Sequence, residues 1–131
     1  MWTWSRRVPD LFEEFHADVD LGVVATCHPV VMELLYSARS SAEFRGMRGQ
    51  LALLPTCLIG PPQWDRALEV YGLLADQGPL HQRQVGHADL LIAAAAESAG
   101  IPVIHYDGDF DLITEVSGID TRWVRPRGSL E

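Results

Sequence analysis

The sequence predicts an α/β domain built around a parallel sheet. Two apolar runs, VVAT (23–26) and IPVIHY (101–106), have the β-branched content of buried strands. Longer stretches at helical spacing separate them, and TRWV (121–124) adds a last short strand. Strand, helices, strand, helix, strand is the order that gives parallel pairing, because each crossover carries a helix.

Each element has its local reason. VPDLFEEFHA (8–17) reads as a short amphipathic helix, with Leu11, Phe12 and Phe15 on one face and Pro9 in the first turn. HPVVMELLYSAR (28–39) follows VVAT at once, and Val30, Val31, Leu34 and Leu35 keep helical spacing. A further helix covers SAEFRGMRGQLALL (41–54), capped by Ser40 or Ser41, with Glu43 placed for a capping box. PPQWDRALEVYGLLADQG (61–78) is another, with Trp64, Ala67, Leu68, Tyr71 and Leu74 lining one face and Gly78 at its end. GPLHQRQVGH is a polar loop. HADLLIAAAAESAG (87–100) is apolar on nearly every side, which suits a helix buried against a sheet. FDLITEVSG (110–118) is a short helix closed by glycine, and residues 125–131 are a polar tail.

Composition narrows the class. The chain has 131 residues, 47% hydrophobic and 21% charged, which fits one globular domain over 1–131. Net charge is −8, and all 10 basic residues are Arg. An acidic protein repels a phosphate backbone, so a nucleic-acid site here needs local Arg groups or bound cations to reverse the field. Arg39, Arg45 and Arg48 are candidates for phosphate contact, or a solvated helix face. Cys27 and Cys57 sit in apolar surroundings without CxxC or Cys/His spacing, so they read as buried thiols and not zinc ligands. The start of the chain turns charged too soon for a secretory signal, and the run LLIAAAA is too short to span a bilayer. A cytoplasmic protein without membrane contact is expected.

The acids fall where open α/β sheets place their sites, near the carboxyl ends of strands. Asp107 and Asp109 follow IPVIHY directly, in HYDGDF, and Asp89 opens the Ala-rich helix. Glu33 lies among Val30, Val31, Met32, Leu34 and Leu35, where a lone charge needs a partner or a metal. Clustered carboxylates suit hard divalent cations such as Mg²⁺ or Mn²⁺, which can drive phosphodiester hydrolysis. Each acid also has a plainer use. Asp89 could cap its helix, Asp107 and Asp109 could form a turn, and Glu33 could be solvated. His87 and His105 read as satisfied histidines near the site.

Three segments, MELLYSARS, HADLLIAAAAESAGIPVIHYDGDFDLI and the terminal TRWV, together resemble the PIN-domain toxins of VapBC-type toxin–antitoxin pairs. The resemblance runs from about Val23 to Val124. It implies a PIN-like parallel sheet of about four to five strands flanked by helices. It implies that Glu33, Asp89 and Asp107 are metal ligands and that Asp109 assists, for a catalytic set of Glu33, Asp89, Asp107 and Asp109. It also implies Mg²⁺- or Mn²⁺-dependent cleavage of RNA by metal-activated water, a homodimer, and a cognate VapB-type antitoxin. The family's opening strand, which ends in an acid before Thr-Ser or Lys-Ser, has no match here. Residues 1–7 (MWTWSRR) read as the remnant of a truncated or absent first strand, and Asp10, Asp18 and Asp20 stand in the wrong place to substitute. Residues 1–131 are therefore expected to cleave RNA weakly or not at all. The alternative is a catalytically impaired module that still binds an antitoxin.

Other classes lack their defining elements. A phosphotransfer receiver needs an acidic pair after its first strand. No GxSxG and no GxxxxGK[ST] occurs, which removes serine hydrolases and P-loop enzymes.

Overall fold

Backbone N–H and C=O groups that leave water must find partners, so buried apolar runs fold as helices and strands. The computed structural model of the chain describes residues 24–129. In chain order they form α1 (His28–Leu35), α2 (Ser41–Leu51), α3 (Pro61–Asp76), a 3-10 turn (His81–Gln84), α4 (His87–Ala99), β1 (Val103–His105), α5 (Asp109–Ser117) and β2 (Thr121–Trp123). The expected helix at 8–17 and the strand remnant at 1–7 lie outside the described residues.

The Ala-rich α4 is the centre of the structure. Every residue from Leu90 to Ala96 is buried. Short alanine side chains let neighbours approach closely, and α4 packs against α1, α3, α5 and β1. Gly100 ends it at φ 72°, a left-handed position that glycine adopts without a Cβ clash. Ile92, Ile113, Leu74, Ile119 and Val103 fill the surrounding core, each 2% exposed or less. Burying each is worth about 1.5–3 kcal/mol.

β1 and β2 pair in parallel, Val103 with Thr121, Ile104 with Arg122 and His105 with Trp123, joined by the α5 crossover. Among the described residues the sheet is narrower than the four to five strands expected. VVAT contributes one parallel bridge, Thr26 with Thr56. Thr26 N–H donates to Pro55 O at 2.9 Å and Cys57 N–H to Thr26 O at 2.7 Å. Pro55 has no N–H, so the ladder cannot extend on that side.

Helix ends follow the sequence closely. Ser40 caps α2 by accepting the Glu43 N–H at 3.1 Å. The Glu43 carboxylate reaches back to the Arg39 N–H at 3.4 Å, one residue before the position that a capping box would use. The buried face of α3 keeps Ala67 and Leu74 of the expected stripe and is rotated away from Trp64 and Leu68. Gln63, Ala67, Val70 and Leu74 are buried, whereas Trp64 is 52% and Leu68 64% exposed. Both stripes satisfy a 3.6-residue period, and α4 and α5 meet the one carrying smaller side chains. α2 buries none of its residues.

Arg66 ties three helices together. It donates to both oxygens of Glu97 on α4, at 2.9 and 3.2 Å, and to Ser117 O at the end of α5, at 3.2 Å. Glu69 is a further partner at 3.0 Å. Paired carboxylates hold the guanidinium charged, Glu97 most strongly. A bidentate pair at the surface contributes modestly, so R66A is expected to lower unfolding free energy by about 1 kcal/mol in urea titration. Cys27 and Cys57 are buried thiols outside any disulfide, as expected. Burial pushes the Cys27 thiol up to about 11, so it stays protonated and inert. Among the described residues no helix is long and apolar enough to cross a membrane.

Candidate metal centre

Two helix starts supply the acidic site. Asp89 stands in the first turn of α4, and Asp109 in the first turn of α5. Asp107 occupies the turn between β1 and α5, at the carboxyl end of the strand. Its Oδ1 accepts the Asp109 N–H at 2.9 Å, which fixes the two acids relative to each other. One carboxylate oxygen from each of Asp89, Asp107 and Asp109 can be chosen so that all three lie within 4.8 Å of one another. The plain capping role for Asp89 is not realised, since α4 starts at Gly86 without a side-chain cap.

Three carboxylates this close oppose one another's ionisation. Asp89 feels it most: burial, then the charges of Asp107, Glu33 and Asp109, push its pKa up to about 7. A carboxylate in the first turn of a helix is ordinarily favoured by the helix dipole, so burial and repulsion outweigh that effect here. Asp109 is raised as well, by burial first and then by Asp107. Such a site binds protons for want of a better cation. Hard oxygen donors at this spacing suit Mg²⁺ or Mn²⁺, so the residues present fit a divalent ion.

Glu33 flanks this set without joining it. It sits on the outer side of α1, exposed, and lines an open groove of about 500 Å³ with Pro29, Met32, Tyr36, Ala88 and Leu91. Desolvation by its neighbours and the Asp107 charge both raise its carboxyl above the usual range. The acidic cluster therefore repels Glu33, and of the readings open to it the described residues show the solvated one, with a cation shared with the cluster the remaining way to offset the charge.

His87 is exposed and meets the Tyr71 ring edge-on, with centroids 5.5 Å apart. His105 is fully buried at the end of β1, and its Nδ1 accepts the Asp107 N–H at 3.1 Å. That contact escaped sequence reasoning, although period-two alternation in IPVIHY does put His105 on the inward face with Val103. Trp123, Asp111 and Arg127 were missed too. Trp123 Nε1–H donates to Asp111 Oδ1 at 2.9 Å, and Arg127 lies 3.8 Å from Asp111 Oδ2 and over the Trp123 ring. Arg39, Arg45 and Arg48 are exposed on and beside α2.

The PIN domain family model matches residues 6–116 of this chain. The chain belongs to the PIN-domain family. Ribonuclease VapC18 of Mycobacterium tuberculosis is 36% identical over 129 residues, covering 98% of this chain and 93% of that protein. Ribonuclease VapC51 of the same organism is 37% identical over 112 residues, covering 86% and 80%. Among solved structures, VapBC2 from Rickettsia felis, bound to a DNA fragment from their promoter, superposes with a TM-score of 0.57. That match is 18% identical, covers 88% of this chain and 86% of that one, and speaks to the fold alone. The resemblance read from MELLYSARS and HYDGDF is thereby established at the level of family: this is a VapC-type PIN domain. Its acidic cluster stands at the sheet's carboxyl edge, the general position for sites in open α/β folds.

Proposed function

We propose that this PIN domain is the endoribonuclease toxin of a toxin–antitoxin pair, using Mg²⁺ or Mn²⁺ held by Asp89, Asp107 and Asp109, with Glu33 alongside. The observation that carries the reading is the trio of carboxylates within 4.8 Å of one another, one of them with its proton affinity raised to about pH 7. The relatives named as ribonucleases support RNA as the substrate. When bound, a divalent ion supplies Lewis-acid stabilisation of the charge that develops on a phosphodiester.

The chain's own residues have distinct tasks. Asp89 must release its proton to bind a cation. Asp107 orients Asp109 through the bond to its N–H. Glu33 lines the groove beside the cluster, and its task in this reading is to bind or orient the ion from that side. Exposed Arg45 and Arg48 on α2 offer the positive charge that a net-acidic protein needs to hold RNA phosphate. Partners are part of the reading: a VapB-type antitoxin seated along the apolar groove beside Glu33, where it would bar substrate, and a homodimer using the exposed side chains of α2. Met32 is 71% and Tyr36 92% exposed, a large apolar area for a lone chain.

Incubating the purified chain with RNA and Mn²⁺ tests the proposal. Cleavage should disappear with chelator, return with added Mn²⁺, and be lost in D107N. Metal binding without cleavage would favour the impaired antitoxin-binding module. Robust cleavage would reject the expectation of a weakened enzyme while supporting the metal reading. Cleavage indifferent to chelator would sink it.

A further inference from the structure

We infer that His105 is a positioning residue for Asp107: its imidazole, locked in the core, accepts the Asp107 N–H and so sets how the acidic turn presents its carboxylates. The inference rests on the metal reading of Asp107 and deepens it.

The local geometry has three parts. His105 is 0% exposed and packs against two rings, Phe110 at 4.9 Å and Trp123 at 5.0 Å between centroids. Its backbone is pinned as well, paired with Trp123 across the sheet and accepting the Val124 N–H at 2.8 Å. The ring therefore cannot swing. Its Nδ1 meets the Asp107 N–H at 3.1 Å, two residues on, where the chain leaves β1. Asp107 Oδ1 in turn accepts the Asp109 N–H. One rigid ring thus fixes the first peptide of a turn whose two acids share the site.

The same ring is a poor choice for packing alone. An amide N–H can only donate, so Nδ1 must be the bare nitrogen and the ring proton sits on Nε2. Nε2 is buried and meets no hydrogen-bond partner among the described residues. Leaving a buried donor unmade is unfavourable, and an apolar ring of similar shape would avoid it. A histidine there is explained by the acceptor it offers at Nδ1. Partners that orient metal ligands act in this way, and their loss typically weakens metal binding by about 10–100-fold.

Two variants separate positioning from packing. H105F keeps a ring against Phe110 and Trp123 and removes the acceptor. H105N restores an acceptor near the Nδ1 position and leaves a void where the rest of the ring stood. Thermal stability should rank H105F at or above H105N. Asp107 should rank them the other way. In metal-free protein, hydrogen exchange at the Asp107 amide should speed up about fivefold or more in H105F and stay near wild type in H105N. Mn²⁺ affinity by calorimetry should fall about tenfold or more in H105F and less in H105N. Should H105F not fold, H105Q serves, since its acceptor reaches the Nε2 position and should leave the Asp107 amide unprotected. Unchanged Asp107 exchange in H105F, or metal affinities that simply follow stability, would overturn the inference. A wild-type protein that takes up no Mn²⁺, or loses none of it in D107N, would instead refute the metal reading, and amide exchange would still decide the role of His105.

Discussion

Asp89→Asn should abolish metal-dependent cleavage and, in the same protein, raise stability at neutral pH. Loss of a direct ligand exceeds the roughly 10–100-fold that loss of an orienting partner takes, so activity should fall by at least about a hundredfold. The stability gain has the opposite sign for an electrostatic reason. Burial and the neighbouring carboxylates push Asp89 up to about 7 in the folded chain, against about 3.9 for an unperturbed aspartate. The native state thus holds a proton that the unfolded state has released. Linkage then makes stability fall as pH rises through that window, from about 4 to about 7, and the penalty is complete above it. The carboxylate keeps some contact with water, which screens it, so the effect at pH 8 is about 1–2 kcal/mol and not the full shift. Asparagine cannot ionise. Thermal melts of metal-free D89N should lie roughly 5 °C above wild type at pH 8 and converge with it near pH 4. Added Mn²⁺ should stabilise wild type and not the variant. Because binding must displace the proton, Mn²⁺ affinity at pH 5.5 should be about thirtyfold weaker than at pH 8. A variant that melts below wild type at pH 8 would show that Asp89 is a structural acid.

The largest loss of stability should come from Ile92→Ala. Ile92 is 0% exposed in the middle of α4, one turn after Asp89. Large-to-small core changes cost about 2–5 kcal/mol, depending on how far the surroundings collapse into the void. Around Ile92 on its own helix stand Ala93, Ala94, Ala95 and Ala96, all buried. Alanine has no rotamer with which to fill a gap, so the void should persist and the cost should reach about 4 kcal/mol. Urea titration measures it as a lower midpoint with an unchanged slope. A loss below about 2 kcal/mol, the low end of that range, would mean that α4 shifts to close the space. For comparison, the Arg66 brace, which joins three helices, contributes about a quarter of that because its charges remain near water.

Much of this structure was legible along the chain, because the elements concerned are locally determined. The buried α4, its glycine end at Gly100, the Ser40 cap and the Asp107–Asp109 turn all follow from short-range patterns. What escaped depends on tertiary distance. Trp64 and Leu68 fit a helical stripe with Ala67 and Leu74 as well as Gln63 and Val70 do, and only the packing of α4 and α5 chooses between them. The partner of VVAT lies at Thr56, in a stretch with no strand pattern of its own. Glu33, Asp89, Asp107 and Asp109 were read together from the sequence, and the distances among them, with Asp89, Asp107 and Asp109 the tight trio, were not legible there. Helical phase says which way Glu33 points from α1 and nothing of how near α1 comes to α4. The brace from His105 to Asp107 needs two exact directions, ring and amide, that alternation along β1 cannot supply.

Anomalous diffraction from crystals soaked in Mn²⁺ tests the central claim most directly. The account predicts a peak among the carboxylates of Asp89, Asp107 and Asp109, within coordination distance of at least two of them, and no peak there in D107N. Manganese bound elsewhere, or an empty acidic cluster at saturating Mn²⁺ and pH 8, would contradict it.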